Sequence, residues 1–129
     1  AFASQIAEIE AGEREPVMYV GNLDPKRDFT DVRDVVRAYH QILMRGTAGE
    51  VYNVASGRPR SIRQILDTLL ALSECTIRVE ADPDRYRPAD VPVIYGSADK
   101  LTGDTGWSPR ISMDETIRDV LNEWRKSYE

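Results

Sequence analysis

The sequence predicts an α/β domain in which four or five helices cover a small sheet of three or four short strands. Three observations carry that expectation. Apolar residues recur at i, i+3 and i+4 over long stretches, the pattern of helices with one buried face. Short runs rich in valine, isoleucine and tyrosine stand between those stretches, bounded by Gly, Pro, Asn or Asp. The 129 residues have the size of one ordinary domain, able to bury a core without disulfides or metal.

In chain order, Phe2, Ile6 and Ile9 share one helical face, and Gly12 stops that helix. After Pro16, Val17-Met18-Tyr19-Val20 reads as a buried strand ending at Gly21-Asn22, and a loop runs through Asp24 to Asp28. From Asp31 a second helix carries a wide apolar stripe of Val32, Val35, Val36, Tyr39, Ile42 and Leu43, ending near Gly46. Glu50 to Val54 reads as a second strand. Ser61 and Gln64 have capping-box spacing, opening a helix with Ile62, Ile65, Leu66, Leu69 and Leu70 on its core side. Thr76 to Val79 is a third strand, Asp82 to Pro92 is irregular, and Val93-Ile94-Tyr95 is a brief strand. Asp99 to Thr105 forms a short helix closed by Gly106. The last helix opens with a second capping-box spacing at Ser112 and Glu115 and is expected to bury Ile117, Val120, Leu121 and Trp124. So few strands cover few helices, and the domain is expected to lean on a partner domain or chain.

Composition excludes several classes of function. The lone Cys75 rules out a disulfide framework and a thiolate metal cluster. A net charge of −5 argues against a general nucleic-acid binder. No run of 18 apolar residues exists to form a spanning helix, and no basic-then-apolar leader opens the sequence, so a cytoplasmic location is the expectation. The chain starts at Ala1 in what already reads as helix, which suggests a piece of something longer. Of the 17 basic residues, 14 are Arg and 3 are Lys. Codon bias explains such a skew, and so does phosphate binding, because the guanidinium fork holds phosphate bidentately.

Catalytic motifs are missing. His40, the sole histidine, sits at the edge of the second helix's stripe and is expected to pack. Cys75 reads as a small packing residue. Gly46-Thr47-Ala48-Gly49 and Gly103-Asp104-Thr105-Gly106 lack the third glycine of a dinucleotide fingerprint and fall at helix ends. No tyrosine precedes a lysine by four residues. By itself this chain is expected to transfer no hydride.

An ordered set of phrases carries a family resemblance. It runs Val20-Gly21-Asn22-Leu23, Arg27-Asp28-Phe29-Thr30-Asp31-Val32, Tyr52-Asn53-Val54-Ala55-Ser56-Gly57 and Ser61-Ile62-Arg63-Gln64-Ile65. It continues through Asp82-Pro83-Asp84-Arg85-Tyr86-Arg87-Pro88-Ala89-Asp90-Val91-Pro92, Gly96 to Leu101, and Thr105-Gly106-Trp107-Ser108-Pro109. Together they resemble the carboxy-terminal, substrate-binding part of extended short-chain dehydrogenase/reductases, in the branch of GDP-mannose 4,6-dehydratase and GDP-4-keto-6-deoxymannose reductase. Phe29 after the Arg-Asp pair leans toward the reductase. The resemblance implies that residues 1–129 bind a GDP-sugar, and that the dinucleotide-binding half, with its NADP, is absent from this chain. A non-catalytic interaction module with the same fold, or the substrate domain of another NAD-dependent nucleotide-sugar epimerase or dehydratase, are the alternatives.

In that family, two arginines usually clamp the diphosphate or neighbouring ribose, and Arg27 and Arg87 match them. The residues themselves are compatible with this. Arg27 lies in a loop between a strand and a helix, the usual place for ligand contacts, and Arg87 precedes Pro88, which favours an extended backbone. Surface pairing of Arg27 with Asp28 or Asp31, and of Arg87 with Asp84 or Asp90, is the plainer alternative. Asn22 either bonds ribose or caps its turn. Tyr86 contacts the nucleoside or is an ordinary loop tyrosine. Asp90 accepts from a ribose hydroxyl or orients Arg87. Lys26 adds charge without fixed geometry, and Trp107 reads as a packing anchor. Convergence of Arg27 and Arg87 on one concave site is expected. So is an apolar patch left uncovered where the dinucleotide domain would pack, open to self-association.

Overall fold

The computed structural model describes residues 2–88 and 91–129. The element order is α1 (Phe2–Glu10), β1 (Val17–Val20), β2 (Lys26–Asp28), α2 (Val32–Arg45), β3 (Pro59–Ser61), α3 (Ile62–Leu72), β4 (Arg78–Ala81), α4 (Asp99–Thr105) and α5 (Met113–Lys126). The class is α/β, but no three- or four-stranded sheet forms among the described residues. Instead β1 pairs with β4 and β2 with β3, giving two ribbons of two strands each. The chain divides into two compact units: Ala1–Pro25 with Ser61–Pro92 and Asp114–Glu129, and Lys26–Arg60 with Val93–Met113.

The first unit is built on the parallel β1–β4 pair, with Val17 opposite Arg78 and Val20 opposite Ala81. The alternation of burial expected for a half-buried strand is broken in β1, where Val17, Met18 and Val20 are all buried and Tyr19 is exposed. Helix α1 packs on both α3 and β1, burying Ile6 and Ile9 as its spacing predicts. Gly12, at φ +76°, turns the chain out of α1, in the left-handed region that glycine enters without strain. Helix α3 begins with both halves of the capping box: Ser61 Oγ accepts from Gln64 N, and Gln64 Oε1 accepts from Ser61 N. Arg125 on α5 ties this unit together. It grips Glu10 through two nitrogens at 2.9 and 2.8 Å and donates to the Leu72 carbonyl. The Arg125 guanidinium hydrogen bond holds the Glu10 carboxyl below its ordinary value despite burial.

The second unit has a core of Ala38, Leu101 and the wholly buried Trp107, with Ile42, Tyr52, Val54 and Ala98 packed around it. Helix α2 meets α4 here, and it differs from the sequence expectation. Its buried residues are Asp34 and Ala38, while Val32, Val36, Tyr39 and Leu43 are 70%, 59%, 58% and 84% exposed. These four sit at i, i+4, i+7 and i+11, one apolar face without cover among the described residues. His40 is exposed too, not packed. Residues 50–54 form no strand, because they have no ladder neighbour among the described residues; Val51 is 80% exposed. In α5, Ile117 and Leu121 are buried as expected, whereas Val120 and Trp124 are nearly half exposed. The predicted strand at 93–95 amounts to one parallel bridge between Val93 and Lys26, and the third predicted strand lies two residues later, at 78–81.

Candidate functional site

The first unit brings together the end of β1 and the Arg-Pro loop. The ladder runs past β1, with Asp82 N donating to the Val20 carbonyl at 2.9 Å. The chain then turns at Asp82–Tyr86. Asp82 Oδ1 accepts from Asp84 N, its carbonyl accepts from Arg85 N, and the Pro83 carbonyl accepts from Tyr86 N. That turn lies against Gly21, where a Cβ would stand 2.3 Å from the Arg85 carbonyl oxygen. Only glycine leaves room for the loop there.

Asn22 fastens the same contact. Its Nδ2 donates to the Arg87 carbonyl at 3.1 Å, and its Oδ1 accepts from Asp24 N at 3.1 Å. Asn22 thus caps its own turn, as one of its two readings has it, and in addition pins the backbone of Arg87 across 65 positions. The Arg87 guanidinium bonds the carbonyls of Asp84 and Tyr86 at 3.1 and 2.9 Å, so its contact with Asp84 is to the main chain, not the carboxylate. Tyr86 is half exposed beside it. Asp90 and its neighbour Ala89 lie outside the described residues.

Arg27 falls in the second unit, on the short strand β2 where the sequence predicts a loop. Its Nη1 donates to the Lys26 carbonyl at 2.7 Å. Asp28 is tied elsewhere. Its Oδ1 accepts from Ser56 N and Oγ at 3.0 and 2.5 Å, and its Oδ2 from Gly57 N and Gly96 N at 2.9 and 3.2 Å. Burial pushes the Asp28 carboxyl up, but the Ser56, Gly57 and Gly96 bonds outweigh it and leave the group below its ordinary value. Asp28 therefore locks the β2–β3 ribbon to two loops. The sequence marked it only as the neighbour of Arg27.

Asp34 is a second such anchor. Wholly buried on α2, it accepts from Arg37 at 3.0 Å and from the Arg110 and Ile111 amides at 3.1 and 3.0 Å. Burial again raises its carboxyl, and the bonds from Ile111, Arg37 and Arg110 bring it below the usual value. Its carbonyl accepts from Trp107 Nε1 at 3.0 Å, and Arg37 lies over the Trp107 ring. Trp107 is the packing anchor that its context predicts. Between these two anchors the second unit holds a cavity of about 480 Å³ whose lining includes Phe29, Arg58, Arg60 and Arg110.

A model of the family described as GDP-mannose 4,6 dehydratase matches residues 1–120. A GDP-6-deoxy-D-mannose reductase of Pseudomonas aeruginosa is 38% identical over 122 residues, covering 95% of this chain and 40% of that protein. The human GDP-mannose 4,6 dehydratase is 25% identical over 140 residues, covering 94% of this chain and 37% of its own length. Among solved structures, RMD from Pseudomonas aeruginosa complexed with NADPH superposes with a TM-score of 0.91 at 35% identity, over 98% of this chain and 41% of that one. A putative epimerase from Burkholderia cenocepacia follows at 0.82, also 35% identical, over 97% of this chain and 41% of that one. The chain thus spans about two fifths of the length of these relatives. Fold and sequence define an α/β protein of the extended short-chain dehydrogenase/reductase class. The chain belongs to the GDP-mannose 4,6 dehydratase family.

Proposed function

We propose that this chain is the nucleotide-sugar-binding part of a GDP-4-keto-6-deoxymannose reductase, with GDP-mannose dehydration as the alternative reaction. The observation that carries the reading is the Asn22–Arg87 bond. It gives the Arg-Pro loop a fixed backbone, so the Arg87 guanidinium starts from a defined position when it exchanges its carbonyl partners for a diphosphate. A diphosphate oxygen carries a full negative charge where those carbonyls offer only a dipole, and it can take the guanidinium fork bidentately. Arg27 supplies the second guanidinium, on a strand that Asp28 holds in place. Asn22 and Tyr86 serve the ribose and base, and Asp90 either accepts from a ribose hydroxyl or orients Arg87. The reductase is favoured by the 38% identical relative and by Phe29 after the Arg-Asp pair.

NADP would supply the hydride in such an enzyme, but the residues present do not fit it. The glycines with positive φ, at 12, 49, 57 and 106, stand singly, without the strand–turn–helix whose amides hold a dinucleotide. The chain by itself is therefore inactive in this reading. The open face of α2 supports the same view, since Val32, Val36, Tyr39 and Leu43 form a stripe suited to packing on a dinucleotide-binding domain. Calorimetric titration with GDP-mannose tests the proposal: Arg87→Ala weakens binding by about 1.5–3 kcal/mol. Unchanged affinity in a folded variant contradicts it.

A further inference from the structure

We propose that the cavity of the second unit is a separate binding site for a phosphorylated small molecule. Its volume of about 480 Å³ lies in the range of small-molecule sites. None of the residues assigned above to the nucleotide sugar lines it. Three arginines do: Arg58, Arg60 and Arg110, in a chain of net charge −5. Among the described residues, no carboxylate forms an ion pair with any of the three. The two carboxylates on the cavity wall are already engaged, Asp31 by Arg33 at 2.8 Å and Asp34 by Arg37 at 3.0 Å. Like charges gathered without counter-charge repel, and an anion between them removes that cost.

The arginines are also positioned before any ligand arrives. Arg60 lies on β3 and Arg58 just before it, two residues apart, the spacing that puts side chains on the same side of an extended chain. The turn that delivers them is Gly57, at φ +75°, whose amide is held by Asp28. Arg110 comes from the opposite arm, its amide and that of Ile111 fixed by buried Asp34. Phosphate matches this arrangement because guanidinium groups bind its oxygens in pairs. Phe29 and Pro109 give the wall an apolar part, so the ligand class is a phosphate or diphosphate ester with a ring or aliphatic group.

The test uses inorganic pyrophosphate as probe, titrated into the ¹⁵N-labelled Arg27→Ala/Arg87→Ala protein so that neither guanidinium assigned to the nucleotide sugar contributes. The expected result is saturable shifts of the Gly57, Arg58, Arg60, Arg110 and Ile111 amides with one dissociation constant. R58Q/R60Q, and separately R110Q, should weaken binding by about tenfold or more. Melting temperatures of both variants should match the parent, since these side chains hold no part of the fold together. Shifts confined to other residues, or unchanged affinity in both variants, overturn the proposal. So does failure to saturate below about 10 mM pyrophosphate.

Discussion

Asp28→Asn is expected to unlock the second unit, and the size of the effect follows from four hydrogen bonds. Each carboxylate oxygen accepts two: Oδ1 from Ser56 N and Oγ, Oδ2 from Gly57 N and Gly96 N. An amide in the same place turns its NH₂ toward one of these pairs of donors. Facing the glycines it loses both bonds; facing Ser56 it keeps the rotatable hydroxyl but still opposes the Ser56 amide. The surviving bonds also lose their charge. Bonds to charged groups contribute about 1.5–3 kcal/mol each, and partial exposure lets water replace some of the loss. The net cost is therefore set at about 3 kcal/mol. For a chain of this length that lowers the melting temperature by roughly 10 °C, measurable by circular dichroism. A drop of less than about 3 °C would refute the view that Asp28 is the clasp of β2, β3 and the 96 loop.

Acid sensitivity follows from the same carboxyls. Asp28 and Asp34 are both held below 3.8 in the folded chain. Their stabilising contribution is thus complete above the unfolded value near 3.8 and lost as pH falls through the lower folded values. Chemical denaturation between pH 7 and pH 2 should show that loss, and Asp28→Asn should diminish it. Arg125→Ala strands the Glu10 carboxylate, 10% exposed, and frees the Leu72 carbonyl, costing about 2–3 kcal/mol by urea denaturation. Gly21→Ala forces a Cβ against the Arg85 carbonyl at 2.3 Å; the loop must move, so stability falls by about 1–3 kcal/mol and GDP-mannose binding weakens with it. Val36→Glu with Leu43→Glu should leave the melting temperature unchanged while reducing any self-association seen by sedimentation.

The helices were legible because their signals are local. Capping spacing at Ser61 and Gln64, glycines after α1 and α4, and apolar periodicity each act within a few residues. The ribbon of β2 and β3 was not, since Lys-Arg-Asp and Pro-Arg-Ser carry no alternation, and the partners of Asp28, at 56, 57 and 96, lie far along the chain. Residues 50–54 show the reverse error: a strand pattern is a promise of burial that only a neighbouring strand fulfils. Helix α2 misled for a related reason. Its apolar stripe was assigned to the core, yet the core side carries Asp34, a charge whose partners at 110 and 111 no sequence window contains. Asn22 and Arg87 were legible as candidates, and the bond between them was not. Arg58, Arg60 and Arg110 escaped notice because none sits in a motif.

The most direct test of the central claim is the calorimetric affinity of the protein for GDP-mannose in the wild type, Arg27→Ala and Arg87→Ala. If both guanidinium groups hold the diphosphate, each variant loses about 1.5–3 kcal/mol, roughly ten- to 150-fold, with its melting temperature unchanged. Two folded variants that bind as tightly as the wild type would contradict it.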